Sequence, residues 1–288
     1  MTQITSRRLE ANGLTFSIDE AGDGDTLAVL LHGFPESKES WHKQLPYLAD
    51  LGWHVVAPNM RGYGETTRPE ELEAYRIEHL VADVAAIFAS FPARRKILIA
   101  HDWGGVIAWQ VALRKAVPLD GLVILNAPHP AIFDRVLRHG WRQKFRSWYV
   151  LFFQLPWLPE RSLTANDGAA LVRALSGQSP QFDPALMQTL RRNVTQPGAA
   201  TAMINYYRAN ISGLSDTSAV SGQIDVPTLM VWGENDVALD IALTEGNEAF
   251  VRDFVLKRVA GASHWVQQDA PHQVNVLIAD WAREKGLA

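Results

Sequence analysis

The chain has 288 residues, of which 47% are hydrophobic and 20% are charged, and it contains no cysteine. This length allows a sizeable buried core, and the composition is typical of a globular, water-soluble protein. The lack of cysteine excludes disulfides, thiolate metal ligands and a cysteine nucleophile. With 27 Lys and Arg against 31 Asp and Glu, the formal charge is -4, which argues against a nucleic acid as partner.

The N-terminal residues show no sign of a targeting segment. Arg7, Arg8, Glu10 and Asp19 interrupt residues 1–20, so the apolar stretch of a signal peptide is absent there. The longest apolar runs of the chain are much too short to span a bilayer. We therefore expect a protein without membrane spans, located in the cytoplasm.

Five short apolar runs recur along the chain, and they are continuous rather than alternating. They cover residues 27–31, 54–57, 97–100, 122–125 and 228–232. Such runs are typical of strands that are buried on both faces of a sheet. Residues 78–91 and 106–113 space their apolar side chains at three and four, as helices packed on a sheet do. The sequence thus predicts an α/β fold, a mostly parallel sheet with helices on both faces.

Residues 133–222 interrupt this alternation of strands and helices. The segment is rich in aromatic residues, its patterns are helical between prolines, and it contains no apolar run of the strand type. We interpret residues 133–222 as a helical insertion, a cap or lid over the strand ends. Residues 1–132 and 223–288 then form one α/β core.

A predicted strand leads directly into a predicted helix at Asp102. A tight elbow of this kind needs small residues two positions before and after its apex, and Ala100 and Gly104 supply them. A helix cap is the simpler role for Asp102, but it does not explain the small flanking residues. An aspartate with an ordinary pKa of about 3.9 is ionised at neutral pH and needs no base to attack. Its attack on an sp³ carbon leaves an ester that water can cleave, so Asp102 is predicted to be a nucleophile.

Two further residues are predicted to activate that water. His264 follows the apolar stretch 254–259, which is typical of a last strand, and lies in a loop where a general base belongs. An acid should orient its imidazole ring. Asp236 and Glu234 both follow the strand at 228–232, and we favour Asp236 because it lies further into the loop.

Backbone N–H groups near Asp102 can stabilise a developing oxyanion. Gly33 follows an early strand and allows the chain to turn, so that the N–H of Phe34 faces the elbow. Together with the N–H of Trp103 it would form an oxyanion hole. An ordinary turn is the alternative role for this segment.

These motifs together resemble the epoxide hydrolase branch of the α/β-hydrolase superfamily over nearly the whole chain. They are His32-Gly33-Phe34-Pro35, Arg61-Gly62-Tyr63-Gly64, His101-Asp102-Trp103-Gly104-Gly105, Asn126-Ala127-Pro128-His129-Pro130, Gly233-Glu234-Asn235-Asp236 and Ser263-His264-Trp265. The order Asp102, Asp236, His264 is also that of the superfamily's nucleophile, acid and base. The resemblance implies a two-step hydrolysis of an apolar epoxide, without cofactor or metal, through an ester on Asp102.

The resemblance also implies that the cap carries two tyrosines, which hydrogen-bond the epoxide oxygen and protonate it. Tyr149 and Tyr207 match these positions, and Tyr206 would replace Tyr207 if the alignment shifted by one residue. A phenol is acidic enough to assist a poor alkoxide leaving group. The residues expected to contact the substrate are Trp103, Phe34, Pro35, Trp148 and Phe152.

Two other functions are compatible with parts of this pattern. Haloalkane dehalogenases share the aspartate nucleophile, the tryptophan after it and a helical cap. Their halide needs a second N–H donor besides Trp103, which a cap tryptophan such as Trp141, Trp148 or Trp157 would have to supply here. A non-catalytic ligand-binding protein is the other alternative. Such a protein has no need of a complete set of nucleophile, acid, base and oxyanion hole.

Overall fold

An eight-stranded sheet forms the centre of the protein in a computed structural model that describes residues 2–179, 181–211 and 222–288. Its strands are β1 (Thr5–Ala11), β2 (Leu14–Ala21), β3 (Thr26–Leu31), β4 (Trp53–Pro58), β5 (Arg95–His101), β6 (Gly121–Leu125), β7 (Thr228–Gly233) and β8 (Phe254–Val259). The spatial order is β1-β2-β4-β3-β5-β6-β7-β8. Strands β3 to β8 are parallel, whereas β1 and β2 are antiparallel to their neighbours. The predicted fold class is therefore confirmed.

Helices cover both faces of this sheet. They are α1 (Leu45–Ala49), α2 (Ile77–Ala89), α3 (Trp103–Leu113), α11 (Val266–Asp269) and α12 (Pro271–Glu284). Side chains of β3 alternate between two buried clusters, with Val29 on the side of α2 and α3, and Ala28 and Leu30 on the side of α1 and α12. Both faces are thus apolar, which explains why the parallel strands have continuous apolar sequences.

The hairpin of β1 and β2 is not predicted by the apolar pattern of the sequence. Most side chains of β1 are exposed, and Arg7, Arg8 and Glu10 interrupt its apolar pattern. Strand β1 lies at the edge of the sheet and pairs only with β2. Charged residues are common on edge strands because they discourage pairing with other chains. The apolar runs used for prediction do not occur on such a strand.

The described part of the chain between β6 and β7 contains seven helices and no strand. They are α4 (Pro130–His139), α5 (Trp141–Arg146), α6 (Trp148–Phe152), α7 (Leu158–Thr164), α8 (Ala169–Gln178), α9 (Pro184–Val194) and α10 (Ala199–Asn210). We call residues 130–211 the helical segment. The predicted limits of the insertion, 133 and 222, stay predictions, and its residues 180 and 212–221 lie outside the described residues.

The parallel strands bring several polar residues to one edge of the sheet. Asp102 directly follows β5, Asn126 directly follows β6, and the loops after β7 and β8 contain Asp236 and His264. The carboxyl ends of parallel strands are the usual position of a binding site in open α/β sheets. Among the described residues, no helix combines the length and the apolar character needed to cross a bilayer.

Candidate active site

Asp102 lies at a sharp elbow between β5 and α3. Its φ of 49° and ψ of -117° are unfavourable for a residue with a side chain, and backbone strain of this kind is concentrated at functional sites. The surrounding backbone is closely packed. A Cβ atom on Gly104 would lie 2.4 Å from the backbone oxygen of Leu31, and one on Gly33 would lie 2.4 Å from the Cβ of Asp102. Glycine is therefore required on both sides of the Asp102 side chain.

The Asp102 carboxylate has a defined environment on each of its two oxygens. Oδ1 accepts the backbone N–H of Phe34 at 2.7 Å, and Oδ2 lies 3.5 Å from Nε2 of His264. The side chain is 16% exposed. Burial raises the pKa of Asp102, but the hydrogen bond and the positive charge of His264 outweigh it, so the pKa lies below its ordinary value. Asp102 is accordingly an ionised carboxylate at neutral pH.

His264 is held between two carboxylates. Its Nδ1 lies 2.7 Å from Oδ2 of Asp236, and its Nε2 faces Asp102. Because a carboxylate only accepts, Nδ1 donates its proton to Asp236. Burial lowers the pKa of His264, but the negative charges of Asp236 and Asp102 raise it well above the ordinary value. The ring is thus oriented with Nε2 toward Asp102.

The Asp236 carboxylate is surrounded by hydrogen-bond donors. Its Oδ1 accepts the backbone N–H groups of Ala238 and Leu239, both at 2.8 Å, and its Oδ2 accepts Nδ2 of Asn126 at 2.7 Å. Asn126 also accepts the backbone N–H of Gly233 at 2.9 Å through Oδ1. No role was predicted for Asn126 from the sequence, although its position directly after β6 was an available signal of a site residue.

A buried acid and histidine support His264 from behind. Nδ1 of His101 lies 2.9 Å from Oε2 of Glu36, and Nε2 of His101 lies 2.9 Å from the backbone oxygen of His264. Because that carbonyl can only accept, Nε2 of His101 donates to it. The rings of His101 and His264 are 4.8 Å apart. This pair was not predicted from the sequence, because the only signals were that Glu36 follows Pro35 and that His101 precedes Asp102.

A cavity of about 190 Å³ opens above Asp102. Its walls are mainly apolar and include Trp103, Val106, Phe133 and Leu239. Small-molecule sites are usually concave and apolar with a few placed polar groups. Asp102 also lines this cavity, so a bound apolar molecule would share it with the nucleophile predicted from the sequence.

Two tyrosines from different helices line this cavity. Tyr149 of α6 and Tyr207 of α10 have ring centroids 5.9 Å apart, and the Tyr207 ring lies 5.0 Å from that of Trp103. Burial, and secondly the charge of Asp102, raise the pKa of both phenols. Both are therefore protonated at neutral pH. Tyr206 is buried elsewhere and donates to the backbone oxygen of Arg61 at 2.8 Å.

Arg208 connects the two helices that carry these tyrosines. It extends from α10, directly after Tyr207, and its Nε donates to the backbone oxygen of Phe153 at 2.8 Å. Its Nη2 donates to the backbone oxygen of Leu155 at 2.6 Å, and its Nη1 lies 2.6 Å from Oε1 of Glu160. Phe153 directly follows α6, and Leu155 lies two residues further on. No sequence motif pointed to Arg208, because its partners lie about fifty positions earlier.

The other predicted substrate contacts differ in their placement. Trp103 lines the cavity, and the Phe34 ring lies 5.5 Å from that of Tyr207. Phe34, Pro35, Trp148 and Phe152 are not among the described residues that line it. Helix α6 turns Tyr149 inward, so Trp148 beside it is mostly exposed and packs on Phe152. The contact of Trp148 with the substrate stays a prediction, and the structure places its side chain on the outer surface.

Comparisons with known proteins agree with this architecture. The family model described as alpha/beta hydrolase fold matches residues 28–271. The AB hydrolase superfamily protein YfhM of Bacillus subtilis is 36% identical over 99% of this chain and 100% of its own length. Epoxide hydrolase 3 of Xenopus tropicalis is also 36% identical, over 97% of this chain and 78% of its own length.

A solved structure has the same fold as this chain. The crystal structure of Bacillus megaterium epoxide hydrolase in complex with an inhibitor superposes with a TM-score of 0.87 at 25% identity, and the match covers 96% of this chain and 100% of that one. A mostly parallel sheet with a strained strand-to-helix elbow after a central strand is typical of the α/β-hydrolase fold. The chain belongs to the α/β-hydrolase family, in its epoxide hydrolase branch.

Proposed function

We propose that this protein hydrolyses an epoxide to a vicinal diol through a covalent ester on Asp102. One observation carries the proposal. The ionised carboxylate of Asp102 and two protonated phenols, those of Tyr149 and Tyr207, line the same apolar cavity. A nucleophile and a pair of acids in one cavity suit the opening of a strained ether. The epoxide hydrolases among its relatives support the same activity.

The first step is an attack by Asp102 on one epoxide carbon. A carboxylate oxygen forms a bond to that carbon, and the bond from the carbon to the epoxide oxygen breaks. The epoxide oxygen takes its proton from Tyr149 or Tyr207, because an unprotonated alkoxide leaves poorly. The product is a hydroxyalkyl ester of Asp102, and the phenolate regains its proton from water.

The second step hydrolyses this ester. Esterification removes the negative charge of Asp102, which is one cause of the raised pKa of His264. The pKa of His264 therefore falls, and Nε2 becomes free to take a proton from water while Asp236 stabilises the imidazolium. The hydroxide adds to the ester carbonyl, whose oxyanion accepts the N–H groups of Phe34 and Trp103. When this intermediate collapses, the bond from the carbonyl carbon to the alkoxy oxygen breaks, and that oxygen takes the proton from the His264 imidazolium, so the diol leaves. The carboxylic acid of Asp102 then gives its proton to His264, which restores the Asp102 carboxylate.

The helical segment acts as a cap in this proposal. It contributes Phe133, Val150 and both tyrosines to a cavity that Asp102, directly after β5, also lines. Excluding water from the first step protects the reaction from competing hydrolysis. The wider insertion 133–222 and the cytoplasmic location stay predictions of the same proposal.

Haloalkane dehalogenation is disfavoured by the position of the tryptophans. A halide needs a second N–H donor besides Trp103, and the candidates Trp141, Trp148 and Trp157 are all exposed. None of the three is among the described residues that line the cavity. The two phenols provide the proton that an alkoxide needs and a halide does not.

The proposal is tested by trapping the ester. A His264→Gln variant should react with styrene oxide and stop, so intact-protein mass spectrometry should show an adduct with the mass of one whole epoxide. The control His272→Gln changes an exposed histidine and should turn over like the parent. In single-turnover reactions of the parent in ¹⁸O-water, the label should enter Asp102 and not the diol. Label in the diol after the first turnover would contradict the covalent mechanism.

A further inference from the structure

The outer face of helices α5 and α6 is apolar, although it faces solvent. Trp141, Phe145, Trp148 and Leu151 are 76, 78, 62 and 69% exposed, and Trp157, a few residues after α6, is 63% exposed. We call these five residues the apolar patch. Soluble monomers rarely expose many large apolar side chains in one region, and such a patch usually marks an interaction surface.

The patch is one face of an almost continuous helical stretch. Its first four members are spaced by four, three and three residues, which places them on one side of a helix. The opposite side is tied to the core. Gln143 accepts the N–H of Asp240 at 2.8 Å, and Arg146 donates to the backbone oxygen of Asp236 at 2.6 Å. These contacts hold the patch outward.

The segment that carries the patch has a formal charge opposite in sign to that of the whole chain. Residues 133–161 contain six Lys and Arg and two Asp and Glu, a formal charge of +4, whereas the chain carries -4. Arg142 and Lys144 are exposed and lie between Trp141 and Phe145 in the sequence. Exposed aromatic rings next to basic side chains are characteristic of surfaces that lie in the interface of an anionic membrane.

We propose that the apolar patch docks on the surface of an anionic lipid bilayer. Trp141, Phe145 and Trp148 insert at the level of the headgroups, and Arg142 and Lys144 contact lipid phosphates. Tryptophan suits this position because its ring is apolar and its N–H is polar. A second copy of the chain fits less well, since a symmetric contact through the patch would bring two positively charged surfaces together.

The position of the patch gives this docking a consequence for the substrate. Tyr149 and Val150 line the cavity and lie between Trp148 and Leu151 of the patch. If the proposed function holds, an apolar epoxide dissolved in a bilayer would meet the protein beside its cavity. Docking itself does not depend on catalysis and is measured separately.

The test is flotation of the full chain with vesicles of equal parts phosphatidylcholine and phosphatidylglycerol, compared with phosphatidylcholine alone. The parent should bind the anionic vesicles more strongly. Trp141→Gln/Phe145→Gln should weaken binding by a factor on the order of ten to a hundred, because apolar burial is lost. Arg142→Gln/Lys144→Gln should weaken it by a factor on the order of ten, and added salt should reduce this difference. Leu72→Gln, an exposed site outside the patch, should bind like the parent.

Several outcomes would overturn the docking proposal. The parent would not float with the anionic vesicles, or the patch variants would float with them as well as the parent does. A third such outcome is a dimer in sedimentation velocity that the patch substitutions dissociate, while the protein does not bind vesicles. Styrene oxide turnover without vesicles separates this test from the proposed function. An active protein that ignores vesicles contradicts only the docking, and an inactive protein that binds them contradicts only the epoxide hydrolysis. Variants that lose vesicle binding and keep turnover support both.

Discussion

The two halves of the site are held in different ways. At the strand ends, the side chains of Asp102, Asp236 and His264 are fixed by hydrogen bonds to backbone groups and to each other within a buried sheet edge. In the helical segment, Tyr149 and Tyr207 are held mainly by the packing of rings. The nucleophile and base thus depend on rigid elements, whereas the acids depend on the relative position of two helices. Substitutions of Tyr149 or Tyr207 should therefore affect the first step and leave the second unchanged.

The largest expected effect comes from the rigid half. Asp102→Ala should lower the turnover of styrene oxide by a factor on the order of 10⁴ or more, since no other group can form the ester. Diol formation measured by chromatography checks this. The thermal midpoint measured by circular dichroism should remain close to that of the parent. A folded variant with parent-like turnover would show that Asp102 is not the nucleophile.

The difference between the halves also explains what the sequence predicts. The parallel strands were predicted because both of their faces are buried, and the elbow at Asp102 was predicted because close backbone packing demands Gly104. These local constraints restrict which residue types can stand at neighbouring positions, so they can be recognised in the sequence. The edge strand β1 has no such restriction, because its side chains are mostly exposed.

Other features depend on contacts between distant parts of the chain. Asn126 reaches Asp236, and Glu36 reaches His101, across 110 and 65 positions. No local pattern specifies these bonds. The sequence also does not predict which way Trp148 faces. Helices α5 and α6 are separated at Ser147, and a small rotation of α6 about its axis there decides which of its side chains face the cavity.

A tyrosine variant separates the acids from the nucleophile. Tyr149→Phe or Tyr207→Phe should each slow the alkylation of Asp102 by a factor on the order of 10², as loss of one oxyanion donor does, and the double variant should be slower still. Stopped-flow tryptophan fluorescence measures this step. Tyr206→Phe is the matched control, because its phenol bonds Arg61 and does not line the cavity. A double variant that alkylates as fast as the parent would remove the tyrosines from the mechanism and favour dehalogenation.

Arg208 offers a way to loosen the helical half without touching the cavity. Arg208→Met removes the bonds from α10 to the residues after α6, so the two phenols lose their relative position. Alkylation should slow by a factor on the order of ten, and hydrolysis of the ester should be unchanged. Arg208→Lys should recover part of the rate, since lysine keeps the charge but not the planar fork. Arg192→Met on α9 is the exposed control.

If Arg208 positions the two tyrosines, the effects of substituting Arg208 and the tyrosines on the alkylation rate should not be additive. In a Tyr149→Phe/Tyr207→Phe background, Arg208→Met should cause little further loss of alkylation rate, because the groups that it positions are already gone. The pre-steady-state alkylation rates of the parent, Arg208→Met, the double tyrosine variant and the triple variant are compared. Independent, additive losses would mean that Arg208 supports only the stability of the helical segment.

The smallest expected effect is a change in the titration of His264 within the rigid half. The negative charges of Asp236 and Asp102 raise the pKa of His264, so Asp102→Ala should move it downward. The imidazole of this variant should then be neutral at a lower pH than in the parent, as it must be to act as a base on the ester. Titration of the His264 ring proton by NMR measures the shift, with His264→Gln identifying the resonance. Tyr149→Phe removes no charge and should leave the titration unchanged. An unchanged pKa in Asp102→Ala would mean that ester formation does not switch His264 into its basic form.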